Sequence, residues 1–233
     1  MQMKADSHGS PGGREWRHRL RGLYAVTPDM DDTVQLTRRV EEAISGGARI
    51  VQYRNKSAPS SLRQEQARVL AVVCRNAGVP FVVNDDVELA RSVGAEGVHL
   101  GRDDAALGAA RAVLGPDALI GVSCYDDLAR ARDAEQGGAS YVAFGSFFPS
   151  EVKPGAVRPP LALLRRARVA LDLPIVAIGG ITADNAALLI ESGADAVAVI
   201  SALFHTADTR AAACAFGHAL GRAQHELNQT SMP

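Results

Sequence analysis

The chain has 233 residues, 47% of them hydrophobic, with 25 Lys and Arg against 26 Asp and Glu and a formal net charge of −1. That length suits one full α/β core better than two small domains. The near-zero charge gives no overall attraction to nucleic acid or to a membrane surface, so any anion site must be local. Cys74, Cys124 and Cys214 lack metal-type spacing, which argues against a disulfide framework and for a reducing, cytoplasmic setting, and no apolar stretch reaches membrane-spanning length.

Residues 1–19 read as a flexible extension, with loop composition in Ser7-His8-Gly9-Ser10-Pro11-Gly12-Gly13. A single domain is expected over 20–226, followed by a frayed tail at 227–233. Within the domain, β-rich runs fall at 22–27, 49–54, 80–84, 97–100, 118–122, 141–144, 175–178 and 196–200. Stretches of helical composition follow them, among them 33–45, 60–76, 126–136 and 184–191. Glycine pairs or Gly-Ala announce the next strand, as Gly46-Gly47-Ala48 and Gly137-Gly138-Ala139 do, which is the composition of a helix C-terminus packed onto a sheet. The strands are apolar throughout instead of alternating, as parallel strands covered on both faces should be. Eight strand–helix units predict a single (β/α)8 TIM barrel; a doubly wound open sheet is the competing arrangement.

In such a barrel the loops after the strands form one rim, where the chemistry sits. After the second run comes Gln52-Tyr53-Arg54-Asn55-Lys56, with Gln52 and Arg54 on one side of a period-2 strand. Its two cations suit an oxygen-rich anion, the Arg through its fork and the Lys as a point charge. After the third run come Asn84 and Asp85, and 19 residues later, after the fourth, Asp104. Two carboxylates on neighbouring strand ends suit Mg²⁺, and each serves equally well as the N-cap of the helix that follows. Ser123 follows the fifth run, as a polar site residue or a helix cap. The loop 145–155 is long enough for a binding loop and carries Lys153. Gly179-Gly180 after the seventh run and Ile200-Ser201 after the eighth match the place where barrels bind phosphate through backbone N–H groups. His99, within a strand, reads as a structural residue, and Cys124 has no neighbouring base that would make it a nucleophile.

Taken together, Gln52-Tyr53-Arg54-Asn55-Lys56, Asn84-Asp85, Gly97-Val98-His99-Leu100-Gly101 through Asp104, Gly121-Val122-Ser123, Phe144-Gly145 through Lys153-Pro154, Ala177-Ile178-Gly179-Gly180-Ile181 and Val199-Ile200-Ser201 resemble the thiamine-phosphate synthase family. The likeness runs from residue 23 to about residue 204. It implies a transferase that condenses hydroxymethylpyrimidine pyrophosphate with hydroxyethylthiazole phosphate, with Mg²⁺ as cofactor and small molecules as its partners; a homodimer stays open. Carried over residue by residue, the resemblance gives the pyrimidine pyrophosphate to Gln52, Tyr53, Arg54, Asn55, Lys56, Asn84, Ser123 and Lys153, with Arg54, Ser123 and Lys153 as the catalytic groups. It gives the metal to Asp85 and Asp104, and the thiazole phosphate to Ser150, Glu151, Val152, Gly180, Ile200 and Ser201. The family's Thr-rich segment before the Lys reads Ser150-Glu151-Val152 here, which removes a hydroxyl and adds a negative charge. A thiazole tautomerase and a non-catalytic phosphate sensor on the same barrel are the competing functions.

Overall fold

A computed structural model of the chain describes Trp16 and residues 19–101, 107–149 and 158–230, without the side chains of the last five. Eight parallel strands close a barrel in sequence order: β1 (Gly22–Val26), β2 (Ile50–Tyr53), β3 (Phe81–Asn84), β4 (Gly97–Leu100), β5 (Leu119–Tyr125), β6 (Tyr141–Gly145), β7 (Ile175–Ile178) and β8 (Ala196–Val199). β8 returns to β1 with Gly22 opposite Ala196 and Ala25 opposite Val199. Around them run α1 (Thr33–Ser45), α2 (Ser60–Ala77), α3 (Val87–Val93), α4 (Leu107–Leu114), α5 (Leu128–Gln136), α6 (Ala162–Ala170) and α7 (Ala183–Glu191). A single turn, α8 (Ser201–Phe204), precedes α9 (Thr209–Thr230), which packs between α7 and α1 and completes the outer ring. The expected TIM barrel is the fold of this chain.

Among the described residues, aspartates start four of the helices. The carboxylates of Asp32, Asp86, Asp127 and Asp208 accept from the backbone N–H groups of Gln35, Leu89, Ala129 and Ala211, satisfying donors that the first helical turn leaves without partners. The strands bury both faces, and the two apolar layers have different owners. Val51, Tyr53, Val83, Val98 and Leu100 pack outward under the helices. Tyr24, Ile50, Val82, Leu119, Tyr141 and Ala198 fill the barrel. Room for the Tyr141 ring comes from Gly121 on the neighbouring strand, because a Cβ there would fall onto the ring itself.

Three boundaries differ from the sequence expectation. Trp16, inside the stretch read as an extension, is buried in the inner layer with Leu20, and its indole N–H donates to the carbonyl of Asp117 at 3.1 Å. Asp117 precedes β5, so Trp16 lies at the floor of the barrel and the folded unit starts before residue 20. At the other end α9 stays helical to Thr230, past the expected start of fraying at 227. Finally, β5 continues to Tyr125 through a register irregularity between Ser123 and Tyr125, so Ser123 belongs to the strand and not to the loop after it.

Candidate active site

The period of two in β2 turns Ile50 and Gln52 inward and Val51 and Tyr53 outward. Gln52 Nε2 donates to Asn84 Oδ1 at 2.8 Å, joining the upper ends of β2 and β3 inside the mouth. Beyond the strand, Thr27 Oγ1 accepts from the Arg54 N–H at 2.8 Å and donates to the Arg54 carbonyl at 2.9 Å. Asp29 holds the Arg54 guanidinium at 2.8 Å and accepts from the Lys56 N–H at 3.0 Å through the same oxygen. The Lys56 ammonium in turn lies 3.1 Å from the Asp85 carboxylate. Two cations, two carboxylates and an amide pair therefore meet on one side of the mouth. Thr27 and Asp29 escaped the sequence reading; Thr27-Pro28-Asp29 at the end of the first run was the available signal.

Tyr53 and Asn55 are corrected. The Tyr53 side chain is 2% exposed and its hydroxyl donates to Gln66 Oε1 of α2 at 2.9 Å, where burial pushes the phenol pKa upward. Asn55 Nδ2 donates to the Met30 carbonyl at 2.9 Å and to Gln66 at 3.1 Å, and its Oδ1 accepts from the Ala58 N–H. Both side chains anchor the loop from behind and neither faces the mouth. Adjacency to Gln52, Arg54 and Lys56 in sequence places them on the opposite side in space.

The competing uses of Asp85 separate cleanly. Asp86 caps α3, accepting from Leu89 N–H at 2.9 Å, so capping does not consume Asp85. Asp85 takes a left-handed φ of 64° and presents a partly exposed carboxylate to Lys56 on the rim. A hard oxygen donor in that position fits one half of a Mg²⁺ site. Asp104, its expected partner, lies outside the described residues, as do Ser150, Glu151, Val152 and Lys153. Among the described residues no three His, Cys, Asp or Glu side chains gather as metal ligands.

Ser123 does not cap α5, a role Asp127 fills. Its hydroxyl instead lies 2.8 Å from His99 Nε2. Arg130 fixes the backbone at this point, donating from Nε to the Ser123 carbonyl at 2.8 Å and from Nη2 to the Gly101 carbonyl at 3.1 Å. The neighbouring Cys124 turns into the outer layer, where burial pushes its thiol up to about 12 and keeps it protonated. No thiol nucleophile is offered there.

Across the mouth the material changes. The N–H groups of Phe147 and Phe148 donate to the carbonyls of Ile178 and Gly179 at 3.2 and 3.0 Å, stitching the segment after β6 onto the end of β7. A Cβ on Gly180, which has a φ of 62°, would lie 2.6 Å from the Phe148 carbonyl oxygen, so the turn tolerates only glycine. Asn185 holds this turn by donating to the Gly180 carbonyl at 3.2 Å and accepting from the Thr182 N–H at 2.9 Å. Ile200 and Ser201 stand at the start of the single-turn α8, directly after β8.

Cations, amides and two carboxylates on one side of a (β/α)8 mouth, with backbone and glycine on the other, define the rim of a barrel enzyme. The family model described as thiamine monophosphate synthase matches residues 23–203. A thiamine-phosphate synthase of Azoarcus sp. (strain BH72) is 59% identical over 198 residues, 85% of this chain and 96% of the relative. One from Thiobacillus denitrificans is 55% identical, over 82% of this chain and 91% of the relative. The solved thiamine phosphate pyrophosphorylase of Pyrococcus furiosus superposes with a TM-score of 0.79 at 34% identity, covering 89% of this chain and 98% of that one. The chain belongs to the thiamine monophosphate synthase family.

Proposed function

We propose that this barrel is a Mg²⁺-dependent thiamine-phosphate synthase, a transferase that joins the methylene carbon of the pyrimidine pyrophosphate to the ring nitrogen of hydroxyethylthiazole phosphate and releases pyrophosphate. The observation that carries the reading is the meeting of Arg54, Lys56 and Asp85 beside the Gln52–Asn84 pair, in a chain that the family model matches nearly from end to end of the barrel. Arg54 and Lys56, with Lys153, serve the pyrophosphate. Asp29 holds Arg54 on the rim before substrate arrives, so its fork is already aimed. Mg²⁺ held by Asp85 and Asp104 would neutralise charge growing on the departing pyrophosphate. The aminopyrimidine stabilises the methylene cation left behind, and the thiazole nitrogen supplies the electron pair for the new C–N bond. No protein nucleophile is needed, in keeping with the protonated thiol of Cys124. Alignment of the two reactants is the protein's remaining task.

On the opposite side, the backbone of Gly180, Ile200 and Ser201 would hold the thiazole phosphate with the loop Ser150-Glu151-Val152. Among the described residues no helix is long and apolar enough to cross a membrane. The test is a coupled assay for pyrophosphate release. Release is expected only when both substrates and Mg²⁺ are present, with thiamine phosphate formed in equal amount. Tight ligand binding without turnover at saturating substrates would overturn the synthase reading in favour of a sensor. Conversion of the thiazole alone would favour a tautomerase.

A further inference from the structure

Inside the barrel, below the charged rim, four side chains form one hydrogen-bonded line. Tyr24 Oη lies 2.8 Å from Tyr141 Oη, Tyr141 Oη lies 3.0 Å from His99 Nδ1, and His99 Nε2 lies 2.8 Å from Ser123 Oγ. The two phenols are fully buried among apolar neighbours and the imidazole stacks on the Tyr141 ring, with centroids 5.6 Å apart. Ser123 is half-buried at the upper end, on the inner face of β5.

The direction of this line follows from counting protons. Tyr24 has one hydroxyl proton, and among the described residues Tyr141 Oη is the acceptor within reach. Tyr24 therefore donates to Tyr141. Tyr141 must then place its own proton on His99 Nδ1, which makes Nδ1 an acceptor. In the neutral ring the proton sits on Nε2 and points at Ser123 Oγ. The reverse direction, with Nδ1–H donating to Tyr141 and Tyr141 to Tyr24, strands the Tyr24 proton in an apolar interior, the costly outcome for a buried donor. With Oγ already accepting from His99, the Ser123 proton is left to point away from the ring, toward the mouth.

We infer that His99 is a positioning residue, held as the Nε2–H tautomer by Tyr141 and Tyr24, which makes the Ser123 hydroxyl a donor toward the pyrophosphate. This rests on the reading of the mouth as a pyrophosphate site, and it assigns His99, Tyr141 and Tyr24 a part in substrate recognition. The alternative tautomer would have Ser123 donating inward, presenting lone pairs to an anion.

The test begins with ¹⁵N-histidine-labelled, ligand-free protein, its His99 signals identified by their loss in His99→Gln. Long-range proton–nitrogen spectra should show His99 protonated at Nε2 only; protonation at Nδ1 overturns the inference. This spectrum needs no turnover. A protein with the Nε2–H tautomer but no synthase activity breaks the synthase reading alone, and an active enzyme with Nδ1–H breaks this inference alone. Titration with inorganic pyrophosphate and Mg²⁺ supplies the second arm. His99→Ala and Ser123→Ala should each weaken binding roughly tenfold, the worth of one charge-assisted hydrogen bond. The double variant should lose no more than Ser123→Ala alone. His99→Gln, whose amide N–H can stand in for Nε2–H, should recover most of the loss. Additive losses in the double variant, or no rescue by Gln in a protein of unchanged melting temperature, would overturn the coupling.

Discussion

On the β2–β4 side of the mouth, side chains are held by other side chains: Asp29 holds Arg54, Asp85 holds Lys56, and Gln52 holds Asn84. On the β7–β8 side, backbone does the holding. Phe147 and Phe148 are stitched onto Ile178 and Gly179, and Asn185 pins the Gly180 turn. The first side can be altered one charge at a time with little effect on the fold, since rim ion pairs contribute little to stability. The second cannot be altered without moving main chain. Single substitutions should therefore separate affinity from stability on one side and damage both on the other.

The largest effect is expected at Asp85. Asp85→Asn should lower turnover about a hundred- to a thousandfold, the scale of losing one charge-stabilising group at a reacting centre. Its melting temperature should stay close to that of the parent protein. Full activity at ordinary Mg²⁺ would remove the metal assignment. Next comes Arg54→Gln, where losing a charged hydrogen bond of about 1.5–3 kcal/mol should weaken the pyrimidine pyrophosphate roughly ten- to a hundredfold. Calorimetric titration should show thiazole phosphate binding unchanged; equal weakening of both would erase the division of the mouth.

Gly180→Ala probes the other side. A Cβ against the Phe148 carbonyl, at a φ that L residues avoid, should cost about 1–3 kcal/mol of stability. A thermal melt should fall by several degrees while the Michaelis constant for the thiazole phosphate rises. Loss of stability without that kinetic change would make the Gly-Gly turn purely architectural. The smallest effect belongs to Val152→Thr, which adds a hydroxyl to the loop proposed to hold the thiazole phosphate. It should lower the Michaelis constant for the thiazole by less than about tenfold, and leave that for the pyrimidine where it is.

The barrel itself was legible because eight apolar runs with helices between them admit few other closures. The two sides of the mouth were legible to different degrees. Arg54, Lys56 and Asp85 announce themselves by charge, but a sequence cannot say that Asp86 caps α3 and leaves Asp85 on the rim, since either aspartate suits either task. Tyr53 and Asn55 misled through their neighbours: alternation along β2 turns every second side chain to the helices, and Gln66, which claims both of them, lies in α2. The pairing of His99 with Ser123 crosses 24 positions of chain and depends on β4 and β5 lying in register, with His99 opposite Gly121 and Ser123 two residues further along the same face. It also depends on an absent side chain at Gly121 that lets Tyr141 reach the ring. No local pattern encodes such a contact.

Trp16 closes the floor of the barrel and is the chain's one tryptophan. Its ring is 7% exposed, with the Arg19 guanidinium 4.7 Å from its centroid. Tryptophan emission from this protein, excited at the long-wavelength edge where its four tyrosines do not absorb, is therefore a single-site optical signal from the end of the barrel opposite the proposed site. Saturating the mouth with either substrate should leave the emission maximum where it is, whereas withdrawing Trp16 from the floor should shift it to the red. Light from one residue thus separates a barrel that has opened underneath from one that has merely filled on top.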